Sequence, residues 1–288
     1  MIATSELILN PDGSIYHLKL QPHQIGKKII LVGDPGRVGM ISANFDHIEH
    51  RVENREFVCH TGFYKGSKIS AIATGIGTDN IDIVINELDA LANINLNERT
   101  IKKKHQTLEL VRIGTCGSLQ KDVPADEVVV STHAFGLDGL MSFYNFYMND
   151  EEREIHSAII KQTNWPPELN NPYLAKGSES LISKIGKNYH SGVTVTAAGF
   201  YAPQGRMLRI QPRVIDLNDR LRNFSLNEHR ILNYEMETSA LYGLSKLLGH
   251  QACTVCLVVA NRYANSFSVN YKAAMERLIK EVLNKMID

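Results

Sequence analysis

Short apolar runs rich in β-branched residues recur along the whole chain, and stretches with helical spacing lie between them. The predicted strands are KKIILVG, EFVCHTGFY, SKISAIATG, LELVRIG, DEVVVST, GVTVTAA and CTVCLVVA. Residues 80–91, 238–248 and 269–286 place apolar side chains on one helical face. Such an alternation buries both kinds of element only when helices pack against a sheet. The sequence therefore predicts an α/β fold, a single domain over residues 1–288 with a mixed central β-sheet flanked by helices.

Local signals indicate where some of these elements begin and end. Lys65-Gly66 is typical of a tight turn between two strands, and Gly249 is a common stop after a helix. Thr78 and Asp79 are candidate caps for the helix that follows them. These signals fix boundaries but carry no chemistry.

Two polar segments, near residues 93–108 and 149–172, interrupt the alternation. The first contains the run Lys102-Lys103-Lys104, and the second ends in proline and asparagine residues. Segments of this composition are typical of solvated loops and helix ends. We expect no catalytic role for either.

The charge balance indicates a small partner. Lys plus Arg and Asp plus Glu each number 31, which gives no reason to expect nucleic acid or an anionic membrane as partner. The first ten residues, MIATSELILN, do not place an apolar region after a basic one, and no apolar run approaches the roughly 20 residues of a membrane span. We therefore expect a cytoplasmic protein.

The cysteines are few and give little support to a redox or zinc site. They are Cys59, Cys116, Cys253 and Cys256. The last two form a C-x-x-C within a predicted strand, where residues three apart point to opposite faces. No second pair completes a zinc site. We expect buried thiols in a reducing compartment and no metal site in the chain.

Two glycine turns follow predicted strands, and each has an arginine beside it. In LVGDPGRV, Gly33 and Gly36 precede Arg37, which is either an ordinary strand-to-helix turn or an anion site at a helix N-terminus. In LVRIGTCGS, Arg112 lies among apolar strand residues and precedes Thr115. A buried arginine there needs a carboxylate partner or a bound anion. Neither turn has the spacing of a P-loop or a dinucleotide-binding turn.

The stretch AAGFYAPQGRM places Gln204 and Arg206 two residues apart, behind Phe200 and Tyr201. If the segment is extended, the amide and the guanidinium point the same way, and an aromatic ring beside them offers a wall for a flat ligand. Two carbonyls flanking an N–H, as on a pyrimidine edge, fit these donors and acceptors. The alternative is a surface turn with a solvated arginine.

The stretch NYEMETSALYGL places Glu235, Met236 and Glu237 before a predicted helix. Carboxylates in this position are common partners of the helix dipole. They also accept hydrogen bonds from sugar hydroxyls. Both interpretations are open from the residues alone.

In order and spacing these motifs resemble the nucleoside phosphorylase superfamily, and most closely its uridine phosphorylase branch. The resemblance extends from SIYHL through GDPGRV, NREF, TGIG, VRIGTCGSLQ, FYAPQGR and NYEMETSA to VVANR. It implies phosphorolysis of uridine to uracil and ribose 1-phosphate, with inorganic phosphate as co-substrate and no organic cofactor. It also implies a role in nucleoside catabolism and pyrimidine salvage.

The resemblance further implies the role of individual residues. The implied phosphate ligands are Gly33, Arg37, Arg112, Thr115 and, from a neighbouring subunit, Arg55. The implied ribose contacts are Met236, Glu237 and the neighbour's His17, which would reach the 5′-hydroxyl. The implied base contacts are Phe200, Gln204, Arg206 and Arg262. Arg112 and Arg206 are the residues implied to act in catalysis, and the shared sites imply at least a dimer, with hexamers known among relatives.

The implied chemistry is attack of phosphate on C1′ while the bond to N1 of uracil breaks, through a transition state with oxocarbenium character. Arg206 would stabilise negative charge that develops on O4. The chain departs from the family pattern at Pro203, at Cys116 and in TGIGTDN, where TGIGGPS is usual. The last departure leaves open the inter-subunit potassium site that some relatives build around Glu56.

Three other functions remain as alternatives. A purine or broad-specificity nucleoside phosphorylase is the nearest, but relatives that cleave purines use an aspartate in the loop that here reads ANRYANS. A hydrolytic nucleosidase would not need the arginine cluster. A catalytically silent nucleoside-binding protein would bind without turnover.

Overall fold

The seven predicted strands belong to a 12-stranded mixed sheet in the computed structural model, which describes residues 1–287. In chain order the strands are Lys28–Val32 (β1), His47–Asn54 (β2), Phe57–Tyr64 (β3), Ser67–Ala73 (β4), Ile94–Asn95 (β5), Thr100–Ile101 (β6), Glu109–Ser118 (β7), Val128–Gly136 (β8), Tyr173–Lys176 (β9), His190–Thr196 (β10), Ser225–Leu226 (β11), His229–Glu235 (β12), Gln251–Asn261 (β13) and Ser266–Phe267 (β14). The short strands β5 and β6 pair only with each other. The α-helices are Pro35–Ser42 (α1), Thr78–Asn93 (α2), Asp150–Gln162 (α3), Glu179–Ile185 (α4), Leu217–Arg222 (α5), Thr238–Leu248 (α6) and Tyr271–Ile287 (α7).

The strand order brings several carboxyl ends to one edge. Strands β4, β1, β7 and β13 are parallel neighbours, and β8, β10 and β12 form a second parallel group. Antiparallel pairs β13–β8 and β12–β7 join the groups, so that β7, β13, β8, β10 and β12 close into a ring. Ligands of open parallel sheets bind beyond the carboxyl ends of the strands, where side chains from several strands converge. The cavity described below lies there.

Helices cover both faces of the sheet, which confirms the predicted fold class. On one face α2 and α6 pack on β1 and β7, and on the other α1, α4 and α7 pack on β1, β4 and β13. The apolar positions predicted for the last helix are buried: Ala274, Leu278, Val282 and Met286. The helical and strand periodicities of the sequence therefore reflect real packing.

Several boundary predictions are confirmed. The Lys65-Gly66 turn joins β3 to β4, with both residues at positive φ. Helix α6 ends at Gly249, which has a φ of +72°. The C-x-x-C lies in β13, with both thiols buried.

Two local predictions were wrong. Thr78 and Asp79 do not cap α2, because Gly77 holds the N-cap position with a φ of +101°, a conformation that favours glycine. The segment 149–172 is not merely a solvated loop, since α3 buries Ile155 and Ile159 against β8 and β10. Its capping box, Asn149 with Glu152, explains why this polar sequence begins a helix.

Within residues 1–287, the longest and most apolar helices still fall short of what a membrane crossing requires.

Candidate active site

A cavity of about 820 Å³ opens at the carboxyl ends of the central strands. Most residues predicted to bind a ligand line it, namely Gly33, Arg37, Arg112, Thr115, Phe200, Gln204, Arg206, Met236 and Glu237. They come from the end of β1, the first turn of α1, the body of β7, the end of β12 and the loop after β10. The fold thus brings the separate sequence motifs into one space.

Two buried arginines form one end of the cavity, which we call the arginine end (Gly33, Arg37, Arg112 and Thr115). The Arg37 and Arg112 side chains are 8% and 4% exposed. A Cβ placed on Gly33 would lie 3.8 Å from Nη2 of Arg37 and 3.9 Å from Nη2 of Arg112, so both guanidinium groups converge on this glycine. Burial, with the nearby charge of Arg112 in addition, lowers the pKa of Arg37.

Part of the hydrogen-bonding capacity at the arginine end is unused. Arg37 donates Nη1 to the Ile113 carbonyl at 3.0 Å. Among residues 1–287, no hydrogen-bond acceptor is found for Nε of Arg37 or for Nε and Nη1 of Arg112. Because a buried N–H without a partner costs free energy, these unpaired donors on two guanidinium groups near Gly33 are consistent with an anion-binding site. The anion-site interpretation of the first glycine turn stays a prediction.

The two glutamates of NYEMET have different roles. Glu235 accepts hydrogen bonds from the backbone N–H of Glu237 (2.8 Å), the backbone N–H of Thr238 (2.9 Å) and the Thr196 hydroxyl (2.6 Å). It therefore satisfies the start of α6, as a dipole partner would. Glu237 instead pairs with Nη2 of Arg112 and accepts the Gly77 N–H at 2.8 Å, within the cavity wall. The dipole-partner interpretation therefore holds for Glu235, while the sugar-binding role of Glu237 stays a prediction.

The acid–base properties of this cluster follow from burial. Burial and the neighbouring Glu237 raise the pKa of Glu235 to about 6, although Arg112 opposes the shift. Burial also disfavours the cation of Arg112, but the charges of Glu237 and Glu235 outweigh it and raise the pKa of that guanidinium. Arg112 therefore stays charged while it faces the cavity.

The other end of the cavity, which we call the amide end, comprises Phe200, Gln204 and Arg206, and Arg262 lies beside it. Arg206 donates Nη1 to Oε1 of Gln204 at 2.6 Å and to the Phe200 carbonyl at 2.6 Å. Its Cζ lies 3.8 Å from the centre of the Phe200 ring. Burial, together with the charge of Arg262, lowers the pKa of Arg206 to about 10. The guanidinium is still charged at neutral pH.

The backbone of this motif differs from the extended segment that was predicted. Ala202–Gln204 forms a 3-10 turn, and Gly205 follows at a φ of +70°. The turn nevertheless brings Gln204 and Arg206 side by side, because it reverses the chain between them. Gln204 is buried at 3% exposure, although Phe200 and Tyr201 beside it are exposed, so the turn lies at the surface with its amide directed inward.

Three predicted residues do not line the cavity. Arg262 lies beside it and donates Nη1 to the Gln204 carbonyl. His17 and Arg55 lie together on another part of the surface, where Arg55 Nη2 donates to the Tyr16 hydroxyl at 3.4 Å. The position of His17 and Arg55 outside their own cavity agrees with the prediction that they act on a neighbouring subunit, which stays a prediction.

The cavity also contains residues that the sequence did not single out. The Tyr234 hydroxyl is buried there, and no hydrogen-bond partner for it is found within residues 1–287. Phe267 lies at the rim and is 76% exposed. Tyr234 directly precedes Glu235, and Phe267 lies on β14 beside β13, so proximity to a motif was the available signal.

Glu56 lines the same cavity, and the potassium site considered around it stays a prediction.

Comparison with known proteins agrees with this geometry. The family model of the phosphorylase superfamily matches residues 27–287. The chain belongs to the phosphorylase superfamily. This membership confirms the resemblance found in the sequence and, with it, the predicted class of enzyme.

Individual relatives cover nearly the whole chain. A uridine phosphorylase of Thermococcus kodakarensis is 30% identical over 264 residues, covering 89% of this chain and 80% of its own length. A DeoD-type purine nucleoside phosphorylase of Streptococcus suis is 27% identical, and the match covers 92% of this chain and 99% of its own length. The crystal structure of a Trypanosoma brucei nucleoside phosphorylase is described as showing uridine phosphorylase activity. It has a TM-score of 0.90 and 31% identity, and the match covers 98% of this chain and 99% of that chain. Both substrate classes thus occur among the relatives.

Proposed function

We propose that the chain is a uridine phosphorylase, which converts uridine and inorganic phosphate into uracil and ribose 1-phosphate. One observation carries the proposal: the same cavity is lined by two buried arginines, one of them paired with Glu237, and by an amide paired with a third arginine. The similarity to the Thermococcus kodakarensis and Trypanosoma brucei proteins supports it.

The phosphate dianion would occupy the arginine end. There the free N–H groups of Arg37 and Arg112 donate to its oxygens, with Thr115 adding a hydroxyl and Gly33 leaving room for close approach. Arg112 also holds Glu237 through Nη2. A single guanidinium therefore fixes the phosphate relative to the carboxylate that accepts the 2′-hydroxyl of the ribose, while Met236 covers the sugar.

Uracil would bind at the amide end. Gln204 donates from its NH₂ group to O2 and accepts the N3–H with the second lone pair of Oε1, while Arg206 donates to O4. Phe200 packs on the base, and Arg262 lies close to O4. An amide and a guanidinium match a pyrimidine edge with two acceptors and one donor.

The reaction then follows from these positions. A phosphate oxygen forms a bond to C1′ as the C1′–N1 bond breaks, and the electron pair of that bond passes into the uracil ring. The bound dianion stabilises positive charge on the sugar, and Arg206 stabilises negative charge on O4. Both contacts strengthen in the transition state, so they accelerate the reaction and do more than bind substrate. Uracil takes up a proton from solvent after it leaves.

A purine nucleoside phosphorylase is the second candidate, because relatives of that class cover the chain equally well. Protonation of purine N7 requires an acid beside the base. In ANRYANS, the loop from which such relatives supply it, Asn261 donates Nδ2 to the Gln120 and Val123 carbonyls and is structural. This favours a pyrimidine substrate.

The experiment is product analysis of the purified protein with uridine and with inosine, each with and without inorganic phosphate. We expect uracil and ribose 1-phosphate from uridine only when phosphate is present. Preference for inosine would overturn the pyrimidine assignment. Release of free ribose without phosphate would indicate a hydrolase, and binding without turnover a silent nucleoside-binding protein.

The proposal includes self-association, with His17 and Arg55 completing the cavity of a neighbouring subunit. Their exposed position outside their own cavity supports this arrangement. Mixing the inactive variants Arg55→Ala and Arg37→Ala after unfolding and refolding tests it. In a symmetric dimer half the molecules are hybrids with one intact site, so about a quarter of wild-type activity should return. No recovery would place Arg55 in its own subunit's site or outside the reaction.

A further inference from the structure

Glu87 of α2 holds His17 in one orientation. Oε1 of Glu87 lies 2.7 Å from Nδ1 of His17. The same carboxylate accepts the backbone N–H of His17 at 2.9 Å and that of Leu18 at 2.8 Å. The Glu87 side chain is 12% exposed, whereas the imidazole is 28% exposed. The carboxylate is thus buried beneath a ring that still reaches the surface.

This contact selects a tautomer. An ionised carboxylate only accepts hydrogen bonds, so Nδ1 of His17 must carry the proton that it shares with Glu87. In the neutral imidazole the lone pair then lies on Nε2, at the other side of the ring. Because ring and backbone bind the same carboxylate, the ring cannot rotate without losing contacts. Neutral His17 therefore presents Nε2 as an acceptor in a fixed direction.

His17 also belongs to a preassembled surface unit. Asn54 donates Nδ2 to the His17 carbonyl at 2.8 Å, and the next residue, Arg55, lies over the Tyr16 ring with its Cζ 5.4 Å from the centroid. The segment that carries His17 and the turn that carries Arg55 are thus tied together before any neighbour binds.

Helix α2 connects this unit to the chain's own cavity. Gly77, its N-cap, donates its N–H to Glu237 at 2.8 Å. Glu87 lies ten residues further on, about 15 Å along the helix axis. Helix α2 therefore contacts Glu237 of this chain's own cavity near its N-terminus and holds His17 through Glu87 further along.

We propose that Glu87 is a positioning residue for His17. It fixes the tautomer that is protonated on Nδ1, so that Nε2 accepts a hydrogen bond from the 5′-hydroxyl of a nucleoside bound in the neighbouring subunit. The inference rests on the proposed function. Glu87 touches neither substrate nor phosphate and acts only through the imidazole.

The test compares Glu87→Gln with wild type on uridine and on 5′-deoxyuridine, which lacks the hydroxyl in question. A glutamine can still accept a backbone N–H, but its NH₂ group favours the other tautomer by donating to Nδ1. We expect kcat/KM for uridine to fall about tenfold, the effect of losing one well-oriented hydrogen bond, and kcat/KM for 5′-deoxyuridine to stay within about twofold of wild type.

Two further variants make the result interpretable. His17→Ala should show the same split between the two substrates, and Glu87→Gln added to it should have no further effect on uridine. Asn54→Ala is the matched control, because it loosens the backbone of His17 without altering the ring nitrogen that faces Glu87. It should lower kcat/KM for uridine less than Glu87→Gln does, because Nδ1 of His17 still faces Glu87, and leave kcat/KM for 5′-deoxyuridine unchanged.

Equal losses on both substrates in Glu87→Gln would mean that Glu87 only anchors the fold, and unchanged kinetics would mean that it does not position His17. Either result would overturn the inference while leaving the proposed function intact. Lack of uridine turnover by the wild type would instead overturn the proposed function, and the role of Glu87 with it.

Discussion

The two ends of the cavity use arginine in opposite ways. At the arginine end the guanidinium groups come from a strand and a helix N-terminus, are almost fully buried, and retain N–H groups for which no partner is found within residues 1–287. At the amide end Arg206 comes from a loop and already donates to Gln204 and Phe200. A ligand therefore completes the bonding of the arginine end, but it must share or replace existing contacts at the amide end.

This contrast shows which end is preorganised. Free donors fixed on rigid elements bind an anion without reorganisation, which is the most effective form of electrostatic stabilisation. Gln204 and Arg206 instead hydrogen-bond each other without a ligand. A ligand that replaces part of this bonding must offset its loss, which lowers the affinity. We therefore expect the largest mutational effects at the arginine end.

The largest effect is expected for Arg112→Ala. The variant loses donors to phosphate and also the partner of Glu237, so kcat/KM for phosphate should fall roughly 10³-fold. Steady-state kinetics with varied phosphate measures it. Because the change leaves two buried carboxylates without their cation, folding must be checked by thermal unfolding.

Arg37→Ala is the matched variant, since Arg37 makes no hydrogen bond to a carboxylate within the described residues. It should lose phosphate use with less loss of stability. Unchanged phosphate kinetics in both variants would remove the arginine end from the site.

A smaller effect is expected for Arg206→Ala, which should lower kcat/KM for uridine roughly 10²-fold and leave the KM for phosphate unchanged. The reason is that its proposed contact is to the leaving base, far from the phosphate. Near-normal uridine turnover would contradict the role of Arg206, and a raised KM for phosphate would show that the two ends are not independent.

The arginine end should also give a pH signature. The folded-state pKa of Glu235, about 6, lies above the ordinary glutamate value of 4.5, so the folded chain binds more protons than the unfolded chain between these pH values. The free energy of unfolding should therefore fall as the pH rises from 4.5 through 6. Urea unfolding of the wild type and of Glu235→Gln measures it, and the variant should lack this decrease. Parallel pH curves for the two proteins would argue against a raised pKa.

The smallest effect is expected from Gly205→Ala in the loop of the amide end. At a φ of +70° any Cβ is strained, and here it would also lie 2.5 Å from Nδ2 of Asn218. The cost should be about 2 kcal/mol, with uridine KM raised and phosphate KM unchanged. Gly66→Ala is the control, because Gly66 has a similar φ of +77° but open space around it. Equal effects of both variants on uridine KM would show that the loop does not hold the base.

Local patterns predicted most of the fold and failed where contacts were remote. The central strands have β-branched apolar runs and were found, whereas β2 was missed because its sequence, HIEHRVEN, is that of a partly exposed edge strand. Strand β12 was missed as well, because HRILNYE is short and half polar. The buried side of α3 could not be inferred either, since its apolar residues are few among charged ones.

The candidate site shows the same division. Arg112 in a strand and Gln204 with Arg206 in a turn could be singled out by residue type and spacing. The division of labour between Glu235 and Glu237 could not, because it depends on which carboxylate pairs closely with Arg112, a residue 125 positions before Glu237 in the chain. Likewise, Tyr234 carries no signal of its own beyond its place beside a motif.

The amino-acid pattern alone was enough to establish the alternation of strands and helices, the glycine turns and the residues able to bind an anion and a pyrimidine edge, because these depend on spacing along one element. The tertiary structure was needed to show that Glu87 meets His17, 70 residues earlier in the chain, and that the guanidinium groups of Arg37 and Arg112 both approach Gly33. Such contacts depend on strand order and helix packing, which bring together side chains that no local pattern relates.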